Sequence, residues 1–228
     1  MEKWIITSDG IKLYYELQGR GPLLLFLHGN SQTGRIFKRQ VEYFQAFFTC
    51  LTLDTRAHGK SVFVGERLTF ERLAQDVVEV LEAEHVDSAR VLGFSDGANI
   101  AMVLASHRPE LVSQLILNAG NLTHLGLYAL MRWAAQLLNR LGRFLRLNLP
   151  ILRLLLMDTG LNLEDLSRIK APTLVINGQF DVVKSSHARE IAAHIPGAKL
   201  VIAPFASHLF FYFQPKRFNR LVKAFLRE

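Results

Sequence analysis

Arg90-Val91-Leu92-Gly93-Phe94-Ser95-Asp96-Gly97-Ala98-Asn99-Ile100-Ala101-Met102-Val103-Leu104 is the stretch that decides the fold. An apolar run leads into Gly93-Phe94-Ser95-Asp96-Gly97, and residues at helical spacing follow. A serine between two glycines at a strand-to-helix turn is the nucleophile-elbow pattern. The reason is steric. The chain turns so sharply that the serine takes a strained backbone conformation and lifts its hydroxyl above the sheet. Side chains two residues to either side would collide, so glycine is needed there. Five residues match by chance in many proteins, so the weight rests on what lies around them.

Before the elbow, residues 2–7 and 11–17 read as strands around Ser8-Asp9-Gly10, a hairpin signal. Leu23-Leu24-Leu25-Phe26-Leu27 reads as a strand buried on both faces, as in a parallel sheet. It ends in His28-Gly29-Asn30. A helix is expected over 33–47, then a buried strand over 48–53 ending in Asp54 and the Arg56-Ala57-His58-Gly59-Lys60-Ser61 loop. Thr69 is a plausible N-cap for a helix over 69–84. After the elbow, strands are predicted at 115–117, 173–177 and 199–202, and helices at 186–194 and 215–227. The alternation predicts an α/β fold: a mostly parallel eight-stranded sheet with helices on both faces. Ligands bind such sheets at the carboxyl ends of the strands, where the polar motifs cluster.

The chain has 228 residues, 50% hydrophobic and 21% charged, which suits one globular domain with a sizeable core. Its single cysteine, Cys50, excludes an internal disulfide framework and reads as a buried strand residue. Met1-Glu2-Lys3-Trp4 has no secretory pattern, and no apolar run is long enough to span a bilayer, so a cytoplasmic protein is expected. The net charge of +7 is spread along the chain with no nucleic-acid motif, so no nucleic-acid partner is expected.

A serine hydroxyl is a poor nucleophile at neutral pH. It needs a base within hydrogen-bond reach, and the base needs an orienting acid. Asp181 lies just past a strand end, and His208 lies in the loop after the last predicted strand. His187 and His194 fall within a predicted helix and are expected at the surface. Asp158, Glu164 and Asp165 lie away from the main strand ends. The candidate triad is therefore Ser95, Asp181 and His208. Backbone N–H groups of Asp96 and Asn30 are the expected oxyanion donors. His28 is expected to hold its loop by hydrogen bonds. The Arg56–Ser61 loop lacks the first glycine of a phosphate-binding loop and reads as structural.

With these motifs assembled, the chain resembles the α/β-hydrolase superfamily over essentially its whole length. The resemblance implies the order serine, acid, histidine. Some relatives carry the acid one strand earlier, where this chain has Asn118. Ala57 and Ala98 stand where many members have glycine. The Ser-Asp-Gly elbow is similar to that of valacyclovir-hydrolase-type esterases, in which the aspartate helps hold a substrate amino group. That likeness makes Asp96, with Phe94, a candidate substrate-binding residue; the other reading of Asp96 is a carboxylate satisfied within the elbow. The resemblance implies a serine hydrolase cleaving small carboxylic esters through an acyl-enzyme, without metal or organic cofactor. Carbon–carbon hydrolysis of a diketone-like substrate, thioester cleavage by the same triad, and a low-turnover binding protein are the alternatives.

Residues 121–165 interrupt the alternation where this fold inserts a helical cap, leaving 1–120 and 166–228 as the core. Pro150 is expected to separate two cap helices. The cap is rich in Leu, Ala and aromatics and carries Arg132, Arg140, Arg143, Arg146 and Arg153. An apolar face over the serine would make an acyl or aromatic pocket, and the arginine-rich outer face suggests anionic ester groups, membrane-surface contact or simply a solvated basic face. The oligomeric state is open.

Overall fold

Leu23–Leu27 and residues 91–94 are apolar on both faces, which suits only the middle of a sheet covered on both sides. The computed structural model describes residues 1–61, 68–145 and 150–227, with Arg143 placed by its backbone alone. Its strands are β1 (Glu2–Ile6), β2 (Lys12–Gln18), β3 (Leu23–Leu27), β4 (Thr49–Asp54), β5 (Ala89–Phe94), β6 (Val112–Asn118), β7 (Thr173–Phe180) and β8 (Lys199–Ser207). They form one eight-stranded sheet in the order β1-β2-β4-β3-β5-β6-β7-β8. β2 pairs antiparallel with β1 and β4; every other pairing is parallel. The expected fold class is therefore the observed one.

The helices are α1 (Lys38–Phe44), α2 (Phe70–Ala83), α3 (Asp96–His107), α4 (Ala129–Phe144), α5 (Pro150–Leu154), α6 (Ser185–His194), α7 (Phe210–Phe213) and α8 (Pro215–Leu226). One core layer sets Leu73, Val77, Val80 and Leu81 of α2 against α3 and the sheet. Each such side chain contributes roughly 1.5–3 kcal/mol by leaving water. The opposite layer is aromatic, with Phe37 and Phe44 meeting Phe211 and Phe218 across the sheet face. Thr69 caps α2, its hydroxyl accepting from Arg72 N–H at 3.1 Å.

Several boundaries differ from the sequence reading. The helix expected over 33–47 is a 3₁₀ turn, Gly34–Phe37, followed by the two-turn α1. Asp54 is the reason: its carboxylate takes the Gly34 N–H at 2.8 Å and pins the chain before the helix can start. β8 runs on to Ser207 rather than ending at 202, because it stays paired with β7 past a register shift. His187 is not a surface residue: its side chain is only 11% exposed, and its Nε2 accepts the Leu122 N–H at 3.1 Å.

Pro150 opens α5 as expected, and Arg146 lies outside the described residues. The two ends of the β6–β7 insertion are clasped together, with Thr159 N–H and hydroxyl both donating to Leu122 O. Its base is tied to the loop after β7 by Tyr128 N–H to Val182 O and Lys184 N–H to Gly126 O. That loop also carries Asp181, so these bonds tie the base of the insertion to the segment that holds Asp181.

Candidate active site

The elbow joins β5 to α3, and Ser95 sits between them at φ 54° and ψ −120°. Only a close approach of backbones permits this turn. A Cβ on Gly97 would run into the Leu27 carbonyl oxygen, and one on Gly93 into the Gly97 carbonyl oxygen. Both glycines are thus required by contact with neighbouring chain, and Ser95 carries the strained dihedral.

Asp181 is fixed before it meets a histidine. One carboxylate oxygen accepts the Gly178 N–H and the other the Val183 N–H, each at 3.1 Å. The second oxygen also lies 2.7 Å from His208 Nδ1. The Asp181 side chain is 1% exposed, so this pairing forms out of water. The Phe94 ring packs 4.8 Å from the imidazole and 4.7 Å from Phe211, holding the His208 ring from the sheet side.

Ser95, Asp96, Phe94, Asn30 and His208 all line one cavity of about 360 Å³. A larger open groove of about 990 Å³, between the base of the insertion and α6, includes none of the proposed triad. The Asp96 N–H stands at the first position of α3, where no helical carbonyl lies four residues back to receive it. Among the described residues, the Asn30 backbone N–H likewise has no acceptor.

His28 and His58 sit nearby but face inward. His28 Nε2 accepts the Thr55 N–H at 3.0 Å, which leaves Nδ1–H to donate to the Gly29 carbonyl at 2.8 Å. Burial, and then the neighbouring His58, push the His28 pKa down to about 3, so it is neutral at physiological pH. It ties the Asn30 loop to the loop after β4, in the role expected of it. In that second loop Arg56 spans Asp76 and Asp9 with paired hydrogen bonds, and Ala57 takes φ 68°. The left-handed region costs an alanine roughly 1 kcal/mol, which explains why glycine suits that position.

The sequence reading missed three polar residues of the cavity: Gln32, Asn99 and Asn121. Asn99 was within reach, since it lies one helical turn after Ser95 on the same face. Its Oδ1 accepts the Asn121 N–H at 2.7 Å and so braces the start of the insertion. The Asn30 side chain was also missed as a bridge. Its Nδ2 donates to Asp96 Oδ2 and to the Ile151 carbonyl, each at 2.8 Å, linking elbow and insertion.

Burial pushes the Asp96 carboxyl up to about 6, with the Asn30 hydrogen bond and the His208 charge pulling the other way. An unfolded aspartate titrates near 3.9. Between these values the folded state holds more protons than the unfolded one, so stability falls as pH rises through that window. Asp96→Asn keeps the acceptor for Asn30 and removes the charge. The variant is expected to be more stable than the parent at about pH 7.5, by up to about 3 kcal/mol. The gain should shrink as pH falls through this window and vanish at about pH 3, where both states of the parent are protonated. Urea unfolding at the two pH values measures it.

A parallel sheet with antiparallel strands at one end, an elbow serine and a histidine–carboxylate pair at the strand ends define an α/β-hydrolase. The family model for the alpha/beta hydrolase fold matches residues 22–166, more than half the chain, and the chain belongs to that family. It is a hydrolase by that membership. The human serine hydrolase BPHL is 24% identical over 248 residues, covering 97% of this chain and 85% of its own. The 3-oxoadipate enol-lactonase 2 of Acinetobacter baylyi is 25% identical over 257 residues, covering 97% and 96%. A solved structure of Est816, described as an N-acyl homoserine lactone degrading enzyme, superposes with a TM-score of 0.84 at 28% identity, over 96% of this chain and 99% of that one.

Proposed function

We propose that the chain is a serine hydrolase of small carboxylic esters, with Ser95, His208 and Asp181 as its triad and residues 121–165 as a cap over the site. The observation that carries this reading is the 2.7 Å pairing of His208 with buried Asp181 in a histidine that shares its cavity with the strained Ser95.

Ser95 Oγ attacks the acyl carbon while His208 Nε2 takes its proton. Asp181 keeps the other ring nitrogen protonated and stabilises the imidazolium. The N–H groups of Asn30 and Asp96 receive the oxyanion. His208 then gives its proton to the leaving alkoxide. Water, deprotonated by His208, attacks the acyl-enzyme and frees the acid.

The cavity favours a small acyl group. Leu127, Met131, Leu138 and Leu154 make its apolar wall, and Asn30, Asp96, Asn99 and Asn121 make a polar end. Lactones are internal esters and belong to the same chemistry, as the lactonases among the similar proteins illustrate. If Asp96 holds an amino group, aminoacyl esters gain a partner for a carboxylate that is otherwise costly to bury.

A panel of p-nitrophenyl esters of rising chain length tests the reading, with lactone, thioester and diketone arms and with aminoacyl esters beside their unaminated analogues. Ester turnover blocked by a serine-directed phosphonate is expected, with an optimum at short acyl chains. Turnover confined to the thioester or diketone arm would move the chain to that class. Equal kcat/KM for aminoacyl and plain esters would remove the amino-group role of Asp96.

A further inference from the structure

Helix α4 has two apolar faces, and the site uses only one. Met131, Ala135 and Leu138 line the catalytic cavity. Leu130, Trp133, Leu137, Leu141 and Phe144 recur at spacings of three and four, so they share a different face of the same helix. That face looks outward: Leu130 is 73% exposed, Trp133 62% and Phe144 83%. Among the described residues, ten of the eighteen exposed large hydrophobic side chains lie between Leu125 and Leu145, so the apolar surface is concentrated on this segment. A continuous patch of that kind marks an interaction surface.

Charge selects the partner. No acidic residue occurs between Glu110 and Asp158, whereas Arg132, Arg140 and Arg143 fall within α4 and two more arginines follow before Asp158. At 100° per residue, Arg132 and Arg140 project from one flank of the outward stripe and the cavity-lining residues from the other. A second copy of the chain would oppose two arginine rows with no carboxylate of this segment to answer them. The stripe also runs the length of the helix, about 24 Å at 1.5 Å per residue, without a polar interruption. A fluid, planar, negatively charged surface meets all three features. On such a surface the apolar stripe would enter the acyl boundary, Trp133 would sit at headgroup depth, and Arg132 and Arg140 would reach the phosphates. No helix among the described residues is long and apolar enough to cross a membrane, so the contact is peripheral.

We propose that the outward face of α4 docks on an anionic lipid bilayer and brings the mouth of the Ser95 cavity to its surface. Met131 and Leu138 line the cavity and are themselves exposed, so apolar surface continues from the docking stripe into the site. The docking does not depend on which ester is cleaved.

Flotation with vesicles of phosphatidylcholine containing one quarter phosphatidylserine, against pure phosphatidylcholine, tests it. The parent should float with the anionic vesicles at low salt and be released as salt rises. Trp133→Asp with Leu137→Asp should abolish flotation while hydrolysis of a water-soluble p-nitrophenyl ester stays at the parent rate, which also shows that the variant is folded. Arg132→Gln and Arg140→Gln should each weaken binding roughly fivefold, the effect of about 1 kcal/mol per basic group. Absence of flotation at low salt overturns the proposal, as does flotation that the double aspartate variant retains. Equal binding to pure phosphatidylcholine overturns its electrostatic part. A dimer in light scattering that the same variant dissolves, without vesicle binding, would assign the stripe to self-association instead.

Discussion

Ser95→Ala is expected to lower kcat by about 10⁶ while leaving the fold intact. The magnitude follows from the covalent step. Without the hydroxyl no acyl-enzyme forms, and His208 with its carboxylate has nothing to deprotonate but water. The oxyanion donors remain, so a residual rate of about 10³–10⁴ over the uncatalysed reaction should survive. The fold should persist for a structural reason. Among the described residues, the Ser95 hydroxyl takes part in no internal hydrogen bond, and alanine carries the same Cβ into the same φ of 54°. Thermal unfolding should therefore match the parent. The measurement is initial-rate hydrolysis of the best p-nitrophenyl ester by purified protein, with phosphonate labelling as the count of active serines. Turnover that survives the substitution at anything near the parent rate, in protein that no longer takes the label, would falsify Ser95 as the nucleophile.

What could be read in advance divides along physical lines. The elbow was legible because its constraint is local: Gly93 and Gly97 answer collisions within a few residues of Ser95 or across one strand pairing. The central strands were legible because burial on both faces leaves an unbroken apolar run. Asp181 and His208 could be chosen because chain topology brings the ends of β7 and β8 to one edge. The bridge from Asn30 was not legible. Its partners, Asp96 and Ile151, lie 66 and 121 residues away, and no local pattern announces a side-chain amide shared between an elbow and an insertion. The same holds for Arg56, whose partners Asp9 and Asp76 come from a hairpin and a helix. Helix α7 escaped because Phe210–Phe213 is a single turn, too short for any periodicity to register. His187 was misplaced because helical spacing puts it on α6 but cannot reveal that the insertion folds back over that helix.

Asp181→Asn should cost about 10⁴ in kcat with KM nearly unchanged, a different signature from a binding residue. The carboxylate is surrounded by donors alone. Gly178 N–H and Val183 N–H hold its two oxygens, and His208 Nδ1 meets the second. An amide has one oxygen for these three donors. Turned one way, its NH₂ opposes Gly178 N–H; turned the other, it opposes Val183 N–H and demands that His208 Nδ1 accept. The second arrangement leaves the proton on Nε2, the nitrogen that must take one from Ser95. In either arrangement the negative charge that stabilises the imidazolium is gone, and both acylation and deacylation pass through an imidazolium. Because Asp181 is buried beneath His208 and does not line the cavity, the ground-state complex should form as before. The split between kcat and KM is thus the deciding readout, and loss of the downfield Nδ1 proton signal in the NMR spectrum is the independent one. A rate within tenfold of the parent would mean that another carboxylate orients His208. Among the acids weighed from the sequence, Asp158 is occupied with His124 at 2.8 Å, and the Asp165 carboxylate takes the Asn162 N–H at 2.9 Å. Neither stands at the end of β7, where Asp181 meets His208 Nδ1.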